Sequence, residues 1–401
     1  MKVIDSLKSK VSSGSDKISN KLLKHVKHEL TDPLTRIINQ TIDTGIFPDL
    51  LKIAKVTPIF KKGNMDEFSN YRPVSVLPSV SKVFERIMHN QIYEYFTKQK
   101  LLFPSQYGFR KNHSTELAAL ELIDKIIQDM DKKKLPINIY LDLSKAFDTL
   151  DHDILLYKLN YYGVRGKALQ LITSYISNRK QYVVFENERS NLLDSKCGVP
   201  QGSILGPLFF IIYINDLSKA SKIFDAVIYA DDTALSTTLN TSDKNHETNL
   251  NSELKLVSDW LKLNRLSLNT LKTKAMLFHT PQKPVTYPKL LINSQEIEFV
   301  KDFNYLGICI DENLKWKTHT DIVSKKISKT LGILSRLKYY LPKDVLLNIY
   351  NALILPFLNY GITVWGGQSN RTFKLQKRAV RLITNSGYNA HTDLLFRQLN
   401  Y

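Results

Sequence analysis

Val227-Ile228-Tyr229-Ala230-Asp231-Asp232-Thr233-Ala234-Leu235 places two aspartates between two short apolar runs. The runs are rich in β-branched residues, which predicts a strand that breaks at the aspartate pair and resumes after it. Further upstream, the run Ile137-Asn138-Ile139-Tyr140-Leu141 is followed by a third aspartate, Asp142. This run is apolar on both faces, a pattern typical of a buried strand.

The three aspartates have one interpretation when each is considered alone and another when all three are considered as a group. A carboxylate that leaves an apolar strand is costly to bury unless it is paired or binds a cation. Alone, Asp231-Asp232 fits a solvated hairpin turn, and Asp142 fits a helix cap before Ser144. Together they can hold two divalent cations, which lie about 3.5–4 Å apart in two-metal sites. Oxygen ligands suit Mg²⁺, so the trio indicates nucleotidyl transfer, which depends on positioning and electrostatics.

The composition is that of an ordinary globular chain with a strong positive charge. Its 401 residues are 43% hydrophobic and 23% charged, which excludes wholesale disorder, collagen-like repeats and coiled coil. At about 150 residues per domain, the length suggests two or three domains. The formal net charge of +18 indicates a polyanionic partner, which is usually nucleic acid and less often an anionic membrane surface. Cys197 and Cys309 are too few for a disulfide scaffold or a cysteine-rich zinc site.

The positive charge is concentrated near the end of the chain. Residues 322–392 contain 11 basic residues and one acid, Asp344. Four of the cations recur at helical spacing and share one helix face: Arg371, Lys374, Arg378 and Arg381. A solvated face normally carries acidic partners at the same spacing, and none are interspersed here. We therefore interpret this face as a nucleic-acid contact in preference to a solvated surface.

The remaining pattern predicts mixed helix and strand. Residues 1–49 and 311–401 read as mostly helical. The runs Ile204–Ile214 and Leu346–Val364 are too short or too interrupted to span a bilayer, and no secretory signal is evident, so we expect a nuclear or cytoplasmic protein. Strands are predicted at Ile53–Phe60, Ile137–Leu143, Phe224–Tyr229, Thr233–Leu235, Leu290–Glu298 and Tyr305–Ile310. Helices are predicted at Thr115–Lys133, from Ser144 onward, at Ile204–Leu217 and at Asp243–Asn264.

Seven motifs follow one another in order: Asn70–Pro78, Gly108–Thr115, Leu141–Asp148, Gly198–Pro207, Tyr229–Asp232, Leu268–Lys274 and Tyr305–Gly307. Their order and residues resemble those of reverse transcriptases of the non-LTR (LINE-type) retrotransposon branch. The pattern is similar to that of jockey-like elements over essentially the whole chain. A single four-residue match would be weak, but seven motifs in the right order are specific.

The resemblance implies an α+β right-hand polymerase, whose palm is an antiparallel sheet with helices on one face. Fingers would occupy residues 1–136 with part of 155–196, the palm 137–310 and a helical thumb 311–401. The implied reaction adds dNTPs to a DNA primer 3′-OH on an RNA template, with two Mg²⁺ for which Mn²⁺ can substitute. The implied partners are the RNA template, the DNA primer and the RNA–DNA duplex, with no membrane. The chain begins almost at the family's opening motif, so endonuclease activity is expected to come from elsewhere.

The resemblance also assigns roles in catalysis and metal binding. The metal ligands would be the carboxylates of Asp142, Asp231 and Asp232 and the backbone carbonyl of Leu143. Lys272 would protonate pyrophosphate as general acid, with Lys274 as the alternative. For either lysine, the structural alternative is an ordinary solvent-facing side chain.

Further residues are assigned to the nucleotide and to the nucleic acid. The nucleotide would contact Lys61 and Arg72 at its triphosphate, Phe147 beneath its sugar, and Gln201 and Gly202 in a close-fitting loop. The primer and template would contact Tyr229, the hairpin Tyr305-Leu306-Gly307, and the four cations Arg371, Lys374, Arg378 and Arg381. The structural alternatives are surface cations, a core aromatic at Phe147, a plain turn at Gln201-Gly202 and an ordinary strand turn at Leu306-Gly307.

Two other functions fit part of the pattern. An RNA-dependent RNA polymerase shares the arrangement of one aspartate plus an aspartate pair, but Phe147 and Tyr229-Ala230 argue against it. A catalytically silent nucleic-acid-binding protein derived from an element is the second alternative. The intact Asp142, Asp231 and Asp232 argue against that alternative.

Overall fold

The computed structural model describes residues 1–186, 188–239, 245–282 and 285–399. Its helices are α1 (Lys2–Ser6), α2 (Asn20–His25), α3 (Lys27–Thr44), α4 (Ser79–Lys98), α5 (Thr115–Asp131), α6 (His152–Tyr161), α7 (Gly166–Ile176), α8 (Leu205–Tyr213), α9 (His246–Leu263), α10 (Lys317–Leu337), α11 (Lys343–Leu353), α12 (Leu355–Asn359), α13 (Ile362–Trp365), α14 (Asn370–Ile383) and α15 (Thr392–Gln398). Its strands are β1 (Ile53–Phe60), β2 (Tyr71–Val76), β3 (Leu135–Leu141), β4 (Leu143–Ser144), β5 (Arg179–Phe185), β6 (Glu188–Arg189), β7 (Leu193–Ser195), β8 (Asp225–Tyr229), β9 (Asp232–Leu239), β10 (Ser267–Leu268), β11 (Lys274–Leu277), β12 (Leu291–Ile292), β13 (Gln295–Glu296), β14 (Glu298–Phe299), β15 (Asp302–Tyr305) and β16 (Ile308–Asp311). The predicted α+β class is confirmed.

A five-stranded sheet in the order β14-β11-β3-β9-β8 forms the centre of the molecule. Its pairings are antiparallel except that of β11 with β14. All seven residues of β3 are buried, as its apolar pattern predicts. Ile137, Ile139 and Leu141 pack on one side with α4, α6, α7, α8 and α9. Tyr140 packs on the other side with α5, β16 and Trp365 of α13.

The expectation of helices on one face of this sheet is therefore wrong. α5 covers the second face through Ala118, Ala119, Leu122, Ile123 and Ile126, all of which are buried there. The physical reason is the sequence of β3 itself, because a strand that is apolar on both faces must be covered on both.

A second sheet has the order β2-β1-β5-β6, and β7 also pairs with β5. β1 runs antiparallel to β2 and parallel to β5. The predicted strand Ile53–Phe60 is confirmed with its bounds unchanged. This sheet joins segments more than a hundred residues apart, so β1 and β2 lie beside elements from the middle of the chain.

Several predicted elements differ from the structure. No helix begins at Ser144, because residues 145–148 form a turn in which Lys145 has a φ of 49° and the Phe147 carbonyl accepts the Val199 amide. The predicted strand Tyr305–Ile310 is a hairpin of β15 and β16 that turns at Leu306-Gly307. The predicted strand Leu290–Glu298 is divided into β12, β13 and β14. The helix predicted at Asp243–Asn264 is α9, and Asp243 and Lys244 lie outside the described residues.

The last third of the chain is helical and has its own core. Leu331, Leu334, Tyr350, Val380 and Ile383 are among its buried side chains. The run Leu346–Val364 forms α11, α12 and α13, and Leu346, Tyr350, Ile354 and Leu358 are buried within it. Across the described ranges no single helix is long and apolar enough to cross a membrane, while one bent pair, Lys343–Asn359 with Ile362–Gln368, satisfies length and composition alone.

Candidate active site

Three carboxylates meet at one end of the central sheet. Leu141 of β3 pairs with Thr233 of β9, so Asp142 and Asp232 are the next residues on two paired strands. Asp232 pairs in turn with Tyr229 of β8, which leaves Ala230 and Asp231 as a two-residue turn. Ala230 has a φ of 57°, a conformation that suits such tight hairpin turns and is rare for residues other than glycine. Strand register alone therefore brings together aspartates that are about ninety residues apart in sequence.

The surroundings of the aspartates change their acidity. Burial raises the pKa of Asp231, the negative charge of Asp142 raises it further, and Arg72 and Lys61 oppose the shift. Although Asp232 stays partly exposed, burial and then the charges of Asp231 and Asp142 raise its pKa to about 6. The carboxylates thus lie close enough to repel one another, and this repulsion favours a cation between them.

The two candidate lysines have different partners. Lys272 lies with its Nζ 3.6 Å from Asp142 Oδ2, and its side chain is 67% exposed. Lys274 is instead paired with Glu298, at 2.5 Å between Nζ and Oε2. Asn269 organises this corner, since its amide donates to the Asp142 carbonyl and its own carbonyl accepts the Lys272 amide. Of the two, Lys272 is the lysine beside the aspartates.

Leu143, the predicted backbone ligand, is buried in β4 and pairs with Leu268 of β10. In the part of the chain that the structure describes, no group of three or more His, Cys, Asp or Glu side chains is arranged to hold a metal ion by itself. The donor set is nevertheless all oxygen. It fits Mg²⁺ held by one or two carboxylates together with waters and substrate phosphates, the usual arrangement for this ion.

Lys61 and Arg72 lie on the β1–β2 hairpin across from the aspartates. Both are exposed, and both act electrostatically on Asp231. Arg72 pairs with Ile59 within the hairpin, and the Lys61 amide donates to the Asn70 carbonyl. Two exposed cations on a paired hairpin thus act on the carboxylate of Asp231.

The loop around Gln201 is held from two sides. The Gln201 Nε2 donates to both carboxylate oxygens of Asp148, at 2.8 and 2.9 Å, and the Gln201 carbonyl accepts the Ser75 amide of β2. Gly202 has a φ of 130°, and a Cβ there would collide with the Ser75 carbonyl oxygen. The glycine is therefore needed for packing of the loop against β2, whatever else it contacts.

Phe147 lies in the turn after β4 and is half-buried. Its ring centroid is 4.6 Å from that of Phe210 in α8 and 6.0 Å from that of Phe109. One side of the ring thus packs on the core at Phe210, and part of the ring remains exposed to solvent. This arrangement shows the core packing of the ring, and its contact with the nucleotide sugar stays a prediction.

The hairpin of β15 and β16 differs from its predicted role at one residue. Tyr305 is buried at 3% exposure and packs against Tyr140, so its side chain belongs to the core. The turn that follows is less buried, and the Leu306 carbonyl accepts the hydroxyl of Tyr360. Any contact of this hairpin with a primer therefore belongs to Leu306-Gly307. Tyr229, at the end of β8, is half-buried against both cores.

The basic face of α14 is partly neutralised. Arg371 forms an ion pair with Asp321 of α10, and the Arg381 Nε donates to the Ala390 carbonyl at 2.9 Å. Lys374 and Arg378 are exposed. No acid is interspersed within the helix, as the sequence shows, but Asp321 of the neighbouring α10 supplies an acidic partner. The spacing of residues within one helix cannot predict an ion pair with a residue of another helix.

Sequence reasoning missed a contact between the hairpin and the segment Ser105–Gly108. The Ile228 amide donates to the Ser105 carbonyl, and the Tyr107 amide donates to the Ile228 carbonyl. A Cβ on Gly108 would collide with the Ala230 amide nitrogen. The glycine at the start of the Gly108–Thr115 motif was the available signal, since glycine often marks a close approach of two backbones.

Known proteins match this chain along most of its length. Residues 59–310 match the family described as reverse transcriptase (RNA-dependent DNA polymerase). A Drosophila melanogaster protein named "Probable RNA-directed DNA polymerase from transposon BS" is 30% identical and aligns with 100% of this chain and 46% of its own. The RNA-directed DNA polymerase from mobile element jockey of the same species is 26% identical, with 99% and 44% covered.

A solved apo telomerase from Candida tropicalis, truncated from its C-terminal domain, aligns with 71% of this chain and 59% of its own. Its TM-score is 0.43 at 16% identity. This chain spans less than half the length of the two curated relatives. Since the family match covers more than half of the chain and spans all seven motifs, the resemblance is confirmed: the chain belongs to the reverse transcriptase (RNA-dependent DNA polymerase) family.

Proposed function

We propose that this chain is an RNA-directed DNA polymerase that adds dNTPs to a DNA primer 3′-OH on an RNA template. The observation that carries the proposal is the meeting of Asp142, Asp231 and Asp232 at one sheet end, opposite Lys61 and Arg72. Clustered carboxylates facing cations suit a triphosphate whose charge is shared between metal ions and basic side chains.

The chain's own residues would bind and orient the reactants. Lys61 and Arg72 bind the triphosphate, and Arg72 can do so with two parallel hydrogen bonds. Phe147 supports the sugar and excludes a ribose 2′-OH by its bulk. Lys272, whose Nζ lies 3.6 Å from Asp142 Oδ2, would give a proton to the leaving pyrophosphate. Two Mg²⁺ ions held by Asp142, Asp231, Asp232 and the Leu143 carbonyl would supply charge neutralisation and a more acidic primer hydroxyl.

We also propose the division into fingers, palm and thumb. The sheet of β1, β2, β5 and β7 supports fingers at 1–136 with part of 155–196. The central sheet supports a palm at 137–310, and the separate helical core supports a thumb at 311–401. RNA template, DNA primer and their duplex would contact the exposed cations of α14 and the turn at Leu306-Gly307.

Primer extension on an RNA template tests the proposal. We expect extension with dNTPs and Mg²⁺, little extension with NTPs, and none by Asp231→Ala/Asp232→Ala, because the double variant removes two of the three carboxylates. The control is binding of labelled primer–template, which the variant should retain. Extension by the variant would reject the site. A folded wild type that binds primer–template but extends nothing would instead point to a silent nucleic-acid-binding protein.

A further inference from the structure

Gln106 is the buried side chain that contacts the turn carrying Asp231. It is 1% exposed, and its Oε1 accepts two backbone amides, Gly108 at 2.8 Å and Ala230 at 3.2 Å. Ala230 is itself buried and has the left-handed φ of 57°. The Ala230 amide belongs to a two-residue turn, so a side chain from elsewhere in the protein supplies its acceptor here.

The segment around Gln106 is held rigidly against the hairpin. Gln106 forms a parallel β-bridge with Ile228, flanked by the hydrogen bonds of Ser105 and Tyr107 to the same residue. The hydroxyls of Ser105 and Tyr107 both donate to Glu121 of α5. The segment is thereby fixed to α5 on one side and to β8 on the other. A strained turn persists only when its surroundings determine it in this way.

We propose that Gln106 is a positioning residue: by accepting the Ala230 amide it sets the backbone of the Ala230-Asp231 turn and thereby the place of the Asp231 carboxylate. This inference rests on the proposed function for its catalytic consequence, but not for its structural one. Gly108 has a supporting part, since only a glycine lets residues 105–108 approach the Ala230 backbone. The first residue of the Gly108–Thr115 motif thus helps to position the carboxylate turn, because it lets the segment 105–108 pack against the end of β8.

The test compares Gln106→Met, which keeps the length of the side chain but removes the acceptor, with Gly108→Ala, which keeps Gln106 but displaces its segment. Gln128→Met on the exposed side of α5 is the matched control, and Leu250→Ala, a buried truncation in α9, controls for lost stability. Two variants with different chemistry keep the inference testable if one of them fails to fold.

Two readouts do not depend on catalysis. Hydrogen exchange of the peptide covering 225–235 should accelerate about tenfold or more in both variants and stay unchanged in Gln128→Met. Mn²⁺ binding to the protein alone, followed by electron paramagnetic resonance, should weaken about tenfold, because carboxylate ligands must be held within a fraction of an ångström. Unchanged exchange and unchanged Mn²⁺ affinity in both variants would overturn the inference.

The catalytic readout separates this inference from the proposed function. If wild type extends primers, Gln106→Met should lower kcat by about tenfold or more while KM for dNTP stays within about twofold. Equal losses of kcat in Leu250→Ala at matched thermal stability would show general destabilisation and would refute a positioning role. If wild type does not extend primers, the proposed function fails, and hydrogen exchange with Mn²⁺ binding still decides whether Gln106 sets the turn.

Discussion

Asp232 combines exposure to solvent with a raised pKa of about 6, caused by partial burial and by two neighbouring carboxylates. The ionised form is therefore disfavoured in the folded protein relative to the unfolded chain. Stability from this group is present at low pH and is lost as pH rises from the ordinary value of 3.8 towards 6. A cation that binds the ionised group reverses this preference, so metal affinity and acidity are coupled at this residue.

The first prediction follows from this coupling. Without metal, Asp232→Asn should raise the free energy of unfolding more at pH 7 than at pH 4.5, because the wild-type carboxylate is ionised only at the higher pH. Urea denaturation at both pH values measures the difference. In wild type, Mn²⁺ affinity should rise as pH increases through 6, and this step should disappear in Asp232→Asn. A step of the same size in the variant would contradict the assignment of the pKa to Asp232.

Phe147 is the residue that should decide between deoxyribose and ribose. Because its ring rests on Phe210 and leaves part of its surface open, truncation creates space above Phe210 without removing a charge. We expect Phe147→Ala to lower the preference for dNTPs over NTPs by about tenfold or more, and Phe147→Leu to have an intermediate effect. Single-nucleotide incorporation kinetics with each substrate measure the ratio. An unchanged ratio in Phe147→Ala would return the ring to a purely structural role.

At the scale of elements, the loop containing Gln201 and Gly202 is fastened between β2 and the turn after β4. Its attachment relies on backbone contacts to Ser75 and on the carboxylate of Asp148. The basic helix α14 is fastened differently, by packing against α10 and by the pair of Arg371 with Asp321. In both elements some polar groups serve the fold, which leaves fewer of them for a ligand than the sequence suggests.

Two glycines with opposite surroundings test the attachment of the loop. Gly202→Ala should destabilise the protein by about 1–3 kcal/mol, since both its φ of 130° and the Ser75 carbonyl oppose a Cβ. Gly332→Ala, in α10 with nothing within 4 Å of the new Cβ, should stabilise it by about 0.5–1 kcal/mol. Urea denaturation compares the two variants. Equal effects of the two substitutions would show that the loop is not pressed against β2.

The cations of α14 should separate into binding and structural groups. We expect Lys374→Gln/Arg378→Gln to make the slope of log affinity against log salt concentration shallower by about one to two units. Each lost phosphate contact lowers the number of counterions that duplex binding releases. Arg371→Gln should change this slope less and lower thermal stability as Asp321→Asn does, because both break the same pair. Binding measured from low to high salt checks the prediction. An identical slope in the double variant would restore the interpretation as a solvated face.

At the scale of the molecule, the C-terminal helices contact the rest of the protein through Trp365, which is in the same apolar cluster as α5 and Tyr140, and through hydrogen bonds at the start of α5. The Tyr360 hydroxyl bonds to both Thr115 and the Leu306 carbonyl, and the Gly361 amide donates to Glu116 at 2.5 Å. The same α5 covers the central sheet and fixes the segment of Gln106. α5 is therefore in contact with β8 of the carboxylate hairpin and with the C-terminal helices, and Tyr360 links it to the turn of the β15–β16 hairpin.

Tyr360→Phe should loosen this junction without disturbing the central sheet. We expect faster hydrogen exchange in α12, α13 and the Leu306-Gly307 turn, and unchanged exchange in β3 and β9, because only the hydroxyl that joins these elements is lost. Exchange measured by mass spectrometry resolves both regions. Uniform acceleration across the protein would indicate global destabilisation and would argue against a local junction.

Motif order and residue periodicity are local properties of the chain, and they were enough to predict the family, the α+β class, the β1 strand and the importance of the three aspartates. Four features became visible only in the folded protein: the burial of Tyr305, the acidic partner of Arg371, the covering of both faces of the central sheet, and the hydrogen bond from the Ala230 amide to Gln106. Each of these depends on contacts between segments far apart in sequence. Such contacts follow from how apolar faces pack together, and they cannot be predicted from residue spacing within one helix or strand.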